Sequence, residues 1–275
     1  HRRASVGVVV ITTRERDDGG EPSDDRATAS PRPDARVSVI VPVYNERNTL
    51  RDLLDRVRAQ RILWHGTTIP IEVVVVDDCS NDGGVDFLDG PEGHALYPEV
   101  TLVRHPRNRG KGAAIRTGLA HLTGSIVIVQ DADLEYDPGD YASLVAPILA
   151  NTARVVYGSR FLGLGPLGRP TGMHPTNWVA NKILSWTASI LFFRRVTDEA
   201  TCYKVFDATV LPGLALRSER FEFCPEVTSK VLRRGIPIVE VPIAYRGRGG
   251  NEGKKIRWPD AFQAWFTLVR YWLRD

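Results

Sequence analysis

Residues 126–138 read IVIVQDADLEYDP, an apolar run that passes straight into Asp131-Ala132-Asp133. A strand built from Ile126, Val127, Ile128 and Val129 has no polar face. It must be buried on both sides, as strands are in a parallel sheet covered by helices. In extended backbone, residues i and i+2 point the same way. Asp131 and Asp133 are therefore expected to present two carboxylates together at the strand's C-terminal end, where open α/β sheets bind ligands. Adjacent carboxylates repel unless a cation lies between them. Hard oxygen ligands suit Mg²⁺ or Mn²⁺, which keep one or two protein carboxylates and complete their shell with water and substrate phosphates. The pair reads as a metal–diphosphate site. The alternative is a solvated acidic turn before Pro138, and the rest of the chain weighs against it.

The segments around this run repeat its logic. VSVIVPV (37–43), IEVVVVDD (71–78), VTLVRHP (100–106) and RVVYGSRF (154–161) read as further strands. Between them, TLRDLLDRVRAQ places Leu50, Leu53, Leu54 and Val57 on one helical face. GKGAAIRTGLAHL (110–122) and DYASLVAPILA (140–150) also read as helices, the latter capped by Asp137 or Asp140 with Pro138 in its first turn. Strands alternating with helices at short spacing make βαβ units and a mainly parallel sheet, so the fold class is α/β. After Phe161 comes a Gly/Pro-rich loop, FLGLGPLGRPTGMHPT, and then an apolar helix, NWVANKILSWTASILFF. A stretch containing TDEATCYKVFD, a helix ended by Gly235, a strand IPIVEVPIAYR, the basic loop RGRGGNEGKK and a closing helix WPDAFQAWFTLVRYWL complete the chain.

Composition narrows the classes. The 43% hydrophobic and 25% charged content is that of a soluble globular protein. A net charge of +3 is too small to imply a nucleic-acid partner, and none is expected. Cys79, Cys202 and Cys224 are odd in number and widely spaced, which fits a reducing, cytoplasmic setting better than a disulfide framework or a zinc site. The longest mostly apolar stretch, 178–193, is interrupted by Lys182 and falls short of the roughly 20 residues a spanning helix needs. Residues 1–36 read as a polar, loosely attached leader, within which VGVVVI could pair onto a sheet edge.

Four features complete a constellation. Asn45 and Glu46 follow the first strand, and Asp77 and Asp78 end the second. Gly110, Lys111 and Gly112 open the helix after the third, where free N–H groups and a lysine would attract phosphate. Asp131 and Asp133 end the fourth. All lie at carboxyl ends of successive strands, so one crevice can collect them.

In VSVIVPVYNE, VVVVDDCSNDG, NRGKGAAIRTG, QDADLEYDP, VVYGSRF, TDEATCYKVF and AYRGRGGNEGKKIRW the chain resembles the family-2 glycosyltransferases of GT-A fold. More narrowly it resembles the polyprenyl-phosphate (dolichol-phosphate) hexosyltransferases, over residues 37–275. The resemblance implies one domain over 37–275, with a nucleotide-sugar half (37–160) and an acceptor half (161–275). It implies that Pro42, Tyr44, Asn45, Glu46, Val76, Asp78 and Lys111 line the nucleotide-sugar pocket. Asp131 and Asp133 would hold Mg²⁺ or Mn²⁺ on the diphosphate, with Glu135 as a third ligand. Arg160 would sit by the diphosphate or the acceptor phosphate, and 161–176 would form the acceptor loop. Asp198 and Glu199 lie where many family-2 enzymes place a general base. A phosphate acceptor needs none, and Asp198 would then orient the sugar or arginine groups. Arg246, Arg248, Lys254 and Lys255 are expected to close over the donor. Glu226 reads equally as a supporting group or an exposed helix position.

The implied activity is metal-dependent, inverting transfer of a hexose from a nucleotide sugar, of GDP-mannose or UDP-glucose type, to a polyprenyl phosphate. The enzyme would work peripherally at a membrane surface, with helix 178–193, Arg194-Arg195 and the aromatic closing helix facing lipid. Two alternatives stand beside it: a transferase acting on a soluble acceptor, and a catalytically silent nucleotide-sugar-binding protein.

Overall fold

The computed structural model describes residues 35–165, 167–247 and 258–274. The leader up to residue 34, and Arg248, Lys254 and Lys255 of the basic loop, lie outside the described residues.

Nine strands are described: β1 (Val37–Val43), β2 (Ile62–Trp64), β3 (Thr67–Ile69), β4 (Ile71–Asp77), β5 (Val100–Arg104), β6 (Ile126–Val129), β7 (Val155–Ser159), β8 (Lys204–Asp207) and β9 (Ile238–Pro242). Seven of them form one sheet in the order β5-β4-β1-β6-β8-β7-β9. The β1–β4, β1–β6, β4–β5 and β7–β9 pairs are parallel, and β8 runs antiparallel to both β6 and β7. The helices are α1 (Leu50–Arg58), α2 (Gly90–Leu96), α3 (Lys111–Leu119), α4 (Tyr141–Leu149), α5 (Pro175–Phe192), α6 (Phe223–Arg233) and α7 (Trp258–Leu273).

The expected double burial of the central strands is found. Every residue of β6, β7 and β8 is buried, as are six of the seven in β1. The chain runs from β1 outward to β4 and β5, then returns to place β6 on the other side of β1. Such a reversal opens a crevice at the carboxyl ends of the strands on either side of it.

Four elements depart from the sequence reading. β2 and β3 form a hairpin around His65 and Gly66, both with positive φ (47° and 80°), the backbone of a two-residue primed turn. Three-residue strands are too short to display an alternation. Gly90–Leu96 is helical, with Pro91 in its first turn. β8 was expected only as an unassigned stretch, because Lys204 breaks its apolar run. That lysine is nevertheless fully buried. Its ammonium donates to the Glu199 carbonyl (2.6 Å) and lies 3.9 Å from the centre of the Tyr157 ring.

The C-terminal helices form a second layer. Ala188, Val196, Leu232 and Leu268 make a small separate core. The Trp265 indole donates to Thr187 Oγ1 (3.1 Å), and Ser229 Oγ donates to the Leu268 carbonyl (3.3 Å), tying α7 to α5 and α6.

Candidate active site

The loops after β1 and β4 are stitched together at one end of the crevice. Asn45 has a left-handed backbone (φ 52°). Its N–H donates to Ser80 Oγ, and its Oδ1 accepts from Asn81 N, both at 2.9 Å. Glu46 accepts from Thr49 Oγ1 (3.0 Å) and its carbonyl starts α1. Tyr44 stands 38% exposed at the tip of β1, beside half-buried Pro42. Val76 does not face the crevice. It is fully buried with Val74 and Ala114, because alternate residues of β4 must cover α3. Any part it has in the nucleotide-sugar pocket therefore falls to its backbone, not its side chain.

Asp78 is a hub. Its carboxylate accepts from His105 Nδ1 (2.7 Å), Arg109 N (2.8 Å) and Gly110 N (2.7 Å), and it is 3% exposed. The expected contact with a base would compete with these bonds; as folded, Asp78 fixes loop 105–110.

The helix opening at 110–112 also departs from expectation. Loop 218–220 packs across it, and Ala113 N donates to the Glu219 carbonyl (2.9 Å). Gly110 (φ 93°) and Gly112 are needed for this approach. A Cβ on them would meet Glu219 O at 2.5 Å and Ser218 O at 2.6 Å. The glycines admit protein backbone where a phosphate cradle was expected. The Lys111 ammonium reaches the floor of the site, 2.5 Å from Asp131 Oδ1 and 3.6 Å from Cys202 Sγ. Against the cost of burial, Asp131 foremost holds this ammonium well above its ordinary pKa.

Strand β6 ends at Val129, so Asp131 and Asp133 lie in the turn that follows rather than in extended backbone. Both are half-buried, while Ala132 between them is 3% exposed. The turn is held from beneath by Gln130, fully buried, whose Oε1 accepts from Tyr141 OH (2.8 Å) and Tyr203 OH (2.7 Å). Gln130 Nε2 donates to the Asp131 carbonyl (2.9 Å). Gln130 was not singled out in the sequence; the only signal it carries there is a polar amide closing an apolar strand. Leu134 follows in the left-handed region (φ 61°), a strained conformation for a branched residue.

Glu135 is turned toward the segment after β9. Its Oε2 accepts from Tyr245 OH (2.9 Å) and its carbonyl from Arg246 N (2.9 Å). Among the described residues no three His, Cys, Asp or Glu side chains converge to hold a metal. The three-ligand set Asp131, Asp133 and Glu135 is therefore not assembled. The two aspartates still fit a hard divalent ion completed by phosphate and water. Asp131 already holds a cation, the Lys111 ammonium.

Arg160 follows β7. Its Nε and Nη2 donate to the two oxygens of Asp198 (both 2.7 Å), and its N–H adds a third bond to Oδ2 (2.9 Å). The side chains are 8% and 0% exposed. The guanidinium lies 5.2 Å from the Tyr245 ring centre and 5.8 Å from that of Tyr136. Burial disfavours its charge, but Asp198 holds its pKa well above the usual value. Glu240 supports the pair from β9, accepting from Thr197 N (2.9 Å) and Asp198 N (3.1 Å). Nothing in the sequence pattern singled out Glu240. Glu226 proves structural: fully buried, it pairs with Lys230 (2.7 Å) and accepts from Arg217 N and Ser218 N. Arg246 is exposed, with its backbone bonded beside the aspartate turn.

Sheet, crevice and acidic turn together define a glycosyltransferase of GT-A fold. The description "Glycosyl transferase family 2" matches residues 38–206, and the chain belongs to that family. It is 32% identical over 233 residues to the undecaprenyl-phosphate mannosyltransferase of Micrococcus luteus, covering 80% of this chain and 87% of that one. It is 26% identical over 225 residues to the UDP-N-acetylglucosamine–dolichyl-phosphate N-acetylglucosaminyltransferase of Methanococcus voltae, covering 76% and 85%. Among solved structures it resembles glucosyl-3-phosphoglycerate synthase from Mycobacterium tuberculosis in complex with Mn²⁺ and UDP-glucose. That match has a TM-score of 0.61 and 20% identity, and covers 86% of this chain and 79% of that one.

Proposed function

We propose that this enzyme transfers a hexose from a UDP- or GDP-sugar to a polyprenyl phosphate at a membrane surface. The observation that carries this reading is the state of Asp198. Both its oxygens are spent on Arg160, so it is poorly placed to take a proton from an acceptor. A phosphate acceptor is ionised at neutral pH and needs no base. It does need a fixed cation, and Arg160 is locked beside the acidic turn through Tyr136 and Tyr245.

In this reading residues 37–160 bind the donor and 161–275 receive the acceptor. Asp131 and Asp133 would hold Mg²⁺ or Mn²⁺, which when bound neutralises charge on the departing diphosphate. Tyr44, Glu46 and the loop ordered by Asp78 border the nucleoside. Relatives that act on polyprenyl and dolichyl phosphates support the acceptor class. The structure solved with Mn²⁺ and UDP-glucose supports the donor and metal classes.

The second layer supports the membrane. Among the described residues no helix is long and apolar enough to cross a bilayer. Instead, Val179, Ile183, Trp186 (65% exposed) and Ile190 (70%) form one stripe of α5. Phe262 and Phe266 are exposed on α7, and Phe193, Arg194 and Arg195 lie exposed at the end of α5. Aromatic and aliphatic groups beside arginines suit an anionic lipid interface. The isoprenoid tail then stays in the bilayer, since each CH₂ is worth roughly 0.8 kcal/mol in an apolar medium.

The test offers UDP- and GDP-hexoses with Mn²⁺ to a long-chain polyprenyl phosphate in anionic vesicles, and in parallel to soluble saccharide and peptide acceptors. Mass spectrometry should find the hexosyl lipid, and NMR a β-linkage from an α-linked donor. Transfer to a soluble acceptor alone would overturn the reading and return Asp198 to the role of base. Nucleotide-sugar binding without transfer or hydrolysis would indicate a silent binding protein.

A further inference from the structure

The Lys111 ammonium sits where an ion bound to Asp131 would compete with it. Lys111 opens α3, and that helix cannot shift freely: loop 218–220 lies against Gly110 and Gly112, and Asp78 holds Gly110 N. The side chain is thereby aimed at the end of β6, where Nζ lies 2.5 Å from Asp131 Oδ1 with Cys202 Sγ behind it at 3.6 Å. Asp131 already has this cation in contact, which weakens its attraction for a free divalent ion. A nucleoside diphosphate adds negative charge and phosphate oxygens to the same place, and it also offers the ammonium an alternative partner.

We propose that Lys111 is a resident counter-ion for Asp131, so that the protein takes up its divalent ion together with the nucleoside diphosphate and not ahead of it. Lys111 is then a positioning residue in the free enzyme. It compensates the half-buried Asp131 carboxylate, and it withholds the cation site until the donor arrives. This rests on the assignment of Asp131 and Asp133 to a metal–diphosphate site, but it does not depend on which sugar or acceptor the enzyme uses.

The experiment follows free Mn²⁺ by electron paramagnetic resonance during titration of the full chain, alone and with UDP or GDP. The wild type should bind Mn²⁺ weakly alone and tightly with the nucleotide it accepts. Lys111→Met should bind Mn²⁺ alone about ten-fold more tightly or better, because a charge-assisted contact of this kind is worth a decade or more of affinity. Lys111→Arg, which keeps the cation, should behave as the wild type and controls for loss of packing. Circular dichroism on each variant checks the fold; Asp131 is 21% exposed, so water can replace its lost partner in the methionine variant. Equal or weaker Mn²⁺ binding by a folded Lys111→Met protein would overturn the proposal, as would nucleotide-independent tight binding by the wild type. Absence of Mn²⁺ binding in every protein, with either nucleotide, would overturn the metal assignment itself and this inference with it.

Discussion

Asp198→Asn is the most informative single substitution. It keeps the shape of the side chain but removes its charge and turns one acceptor into a donor. Three N–H groups of Arg160 point at Asp198, two of them at Oδ2 and one at Oδ1. An asparagine can accept at one oxygen only, so at least one guanidinium N–H would face another N–H. The pair is 8% and 0% exposed, too buried for water to substitute. Breaking a buried pair from one side typically costs about 3–5 kcal/mol, because the remaining charge stays buried. For a domain of this size that corresponds to a fall in Tm of roughly 6–20 °C. Urea denaturation, followed through the tryptophan fluorescence, measures it. Arg160→Met alone should also destabilise. The double variant should be more stable than the sum of the two, with a coupling of about 2 kcal/mol. Transfer to polyprenyl phosphate should fall by about two orders of magnitude in either single variant, the usual loss for one fixed charge-stabilising donor. An Asp198→Asn protein within about 0.5 kcal/mol of the wild type would refute the claim that this pair holds β7 and the 197–198 segment together.

Three further outcomes are expected. Gly112→Ala should destabilise by about 1–3 kcal/mol, since its Cβ would meet backbone of loop 218–220, and chemical denaturation reads this directly. Asp140, half-buried, accepts from Ala244 N (2.8 Å), and burial raises its carboxyl from 3.8 to about 6. The folded protein therefore binds more protons than the unfolded chain in that interval. This contribution to stability is complete below pH 3.8 and is lost as pH rises through 6. Asp140→Asn keeps the acceptor, so its Tm should gain on the wild type from pH 4 to 6 and hold that gain above; parallel profiles would refute the shift. Asp133→Ala should fold normally and lose turnover, as should the wild type in excess chelator; retained activity in either case would remove the metal from the mechanism.

Much of the fold and of the site was legible in the chain. Val37–Val43 is legible to the residue, and the helices other than α2 follow from apolar spacing, because a sheet buried on both faces leaves no other use for such runs. The aspartates and Lys111 stood out by their places at or just after strand ends, Arg160 and Asp198 by the family resemblance. Where the reading failed, a charge was paired by a partner distant in sequence. Lys204 hid β8, since nothing local reveals that the Tyr157 ring, 47 residues earlier, would receive its ammonium. Glu240 was passed over because its task is to accept from backbone N–H groups 43 and 42 residues away.

The sequence by itself determined the class: an α/β sheet with carboxylates gathered at one edge, and the family to which that arrangement belongs. Local spacing suffices for this, because strand burial and side-chain alternation are properties of short segments. Only the tertiary structure decided what each charged group is bonded to. It gave Asp78 to loop 105–110, the opening of α3 to the Glu219 carbonyl, Lys111 to Asp131 and Asp198 to Arg160. A buried charge takes whichever partner the packing brings within about 3 Å, and that choice belongs to contacts between segments far apart in the chain.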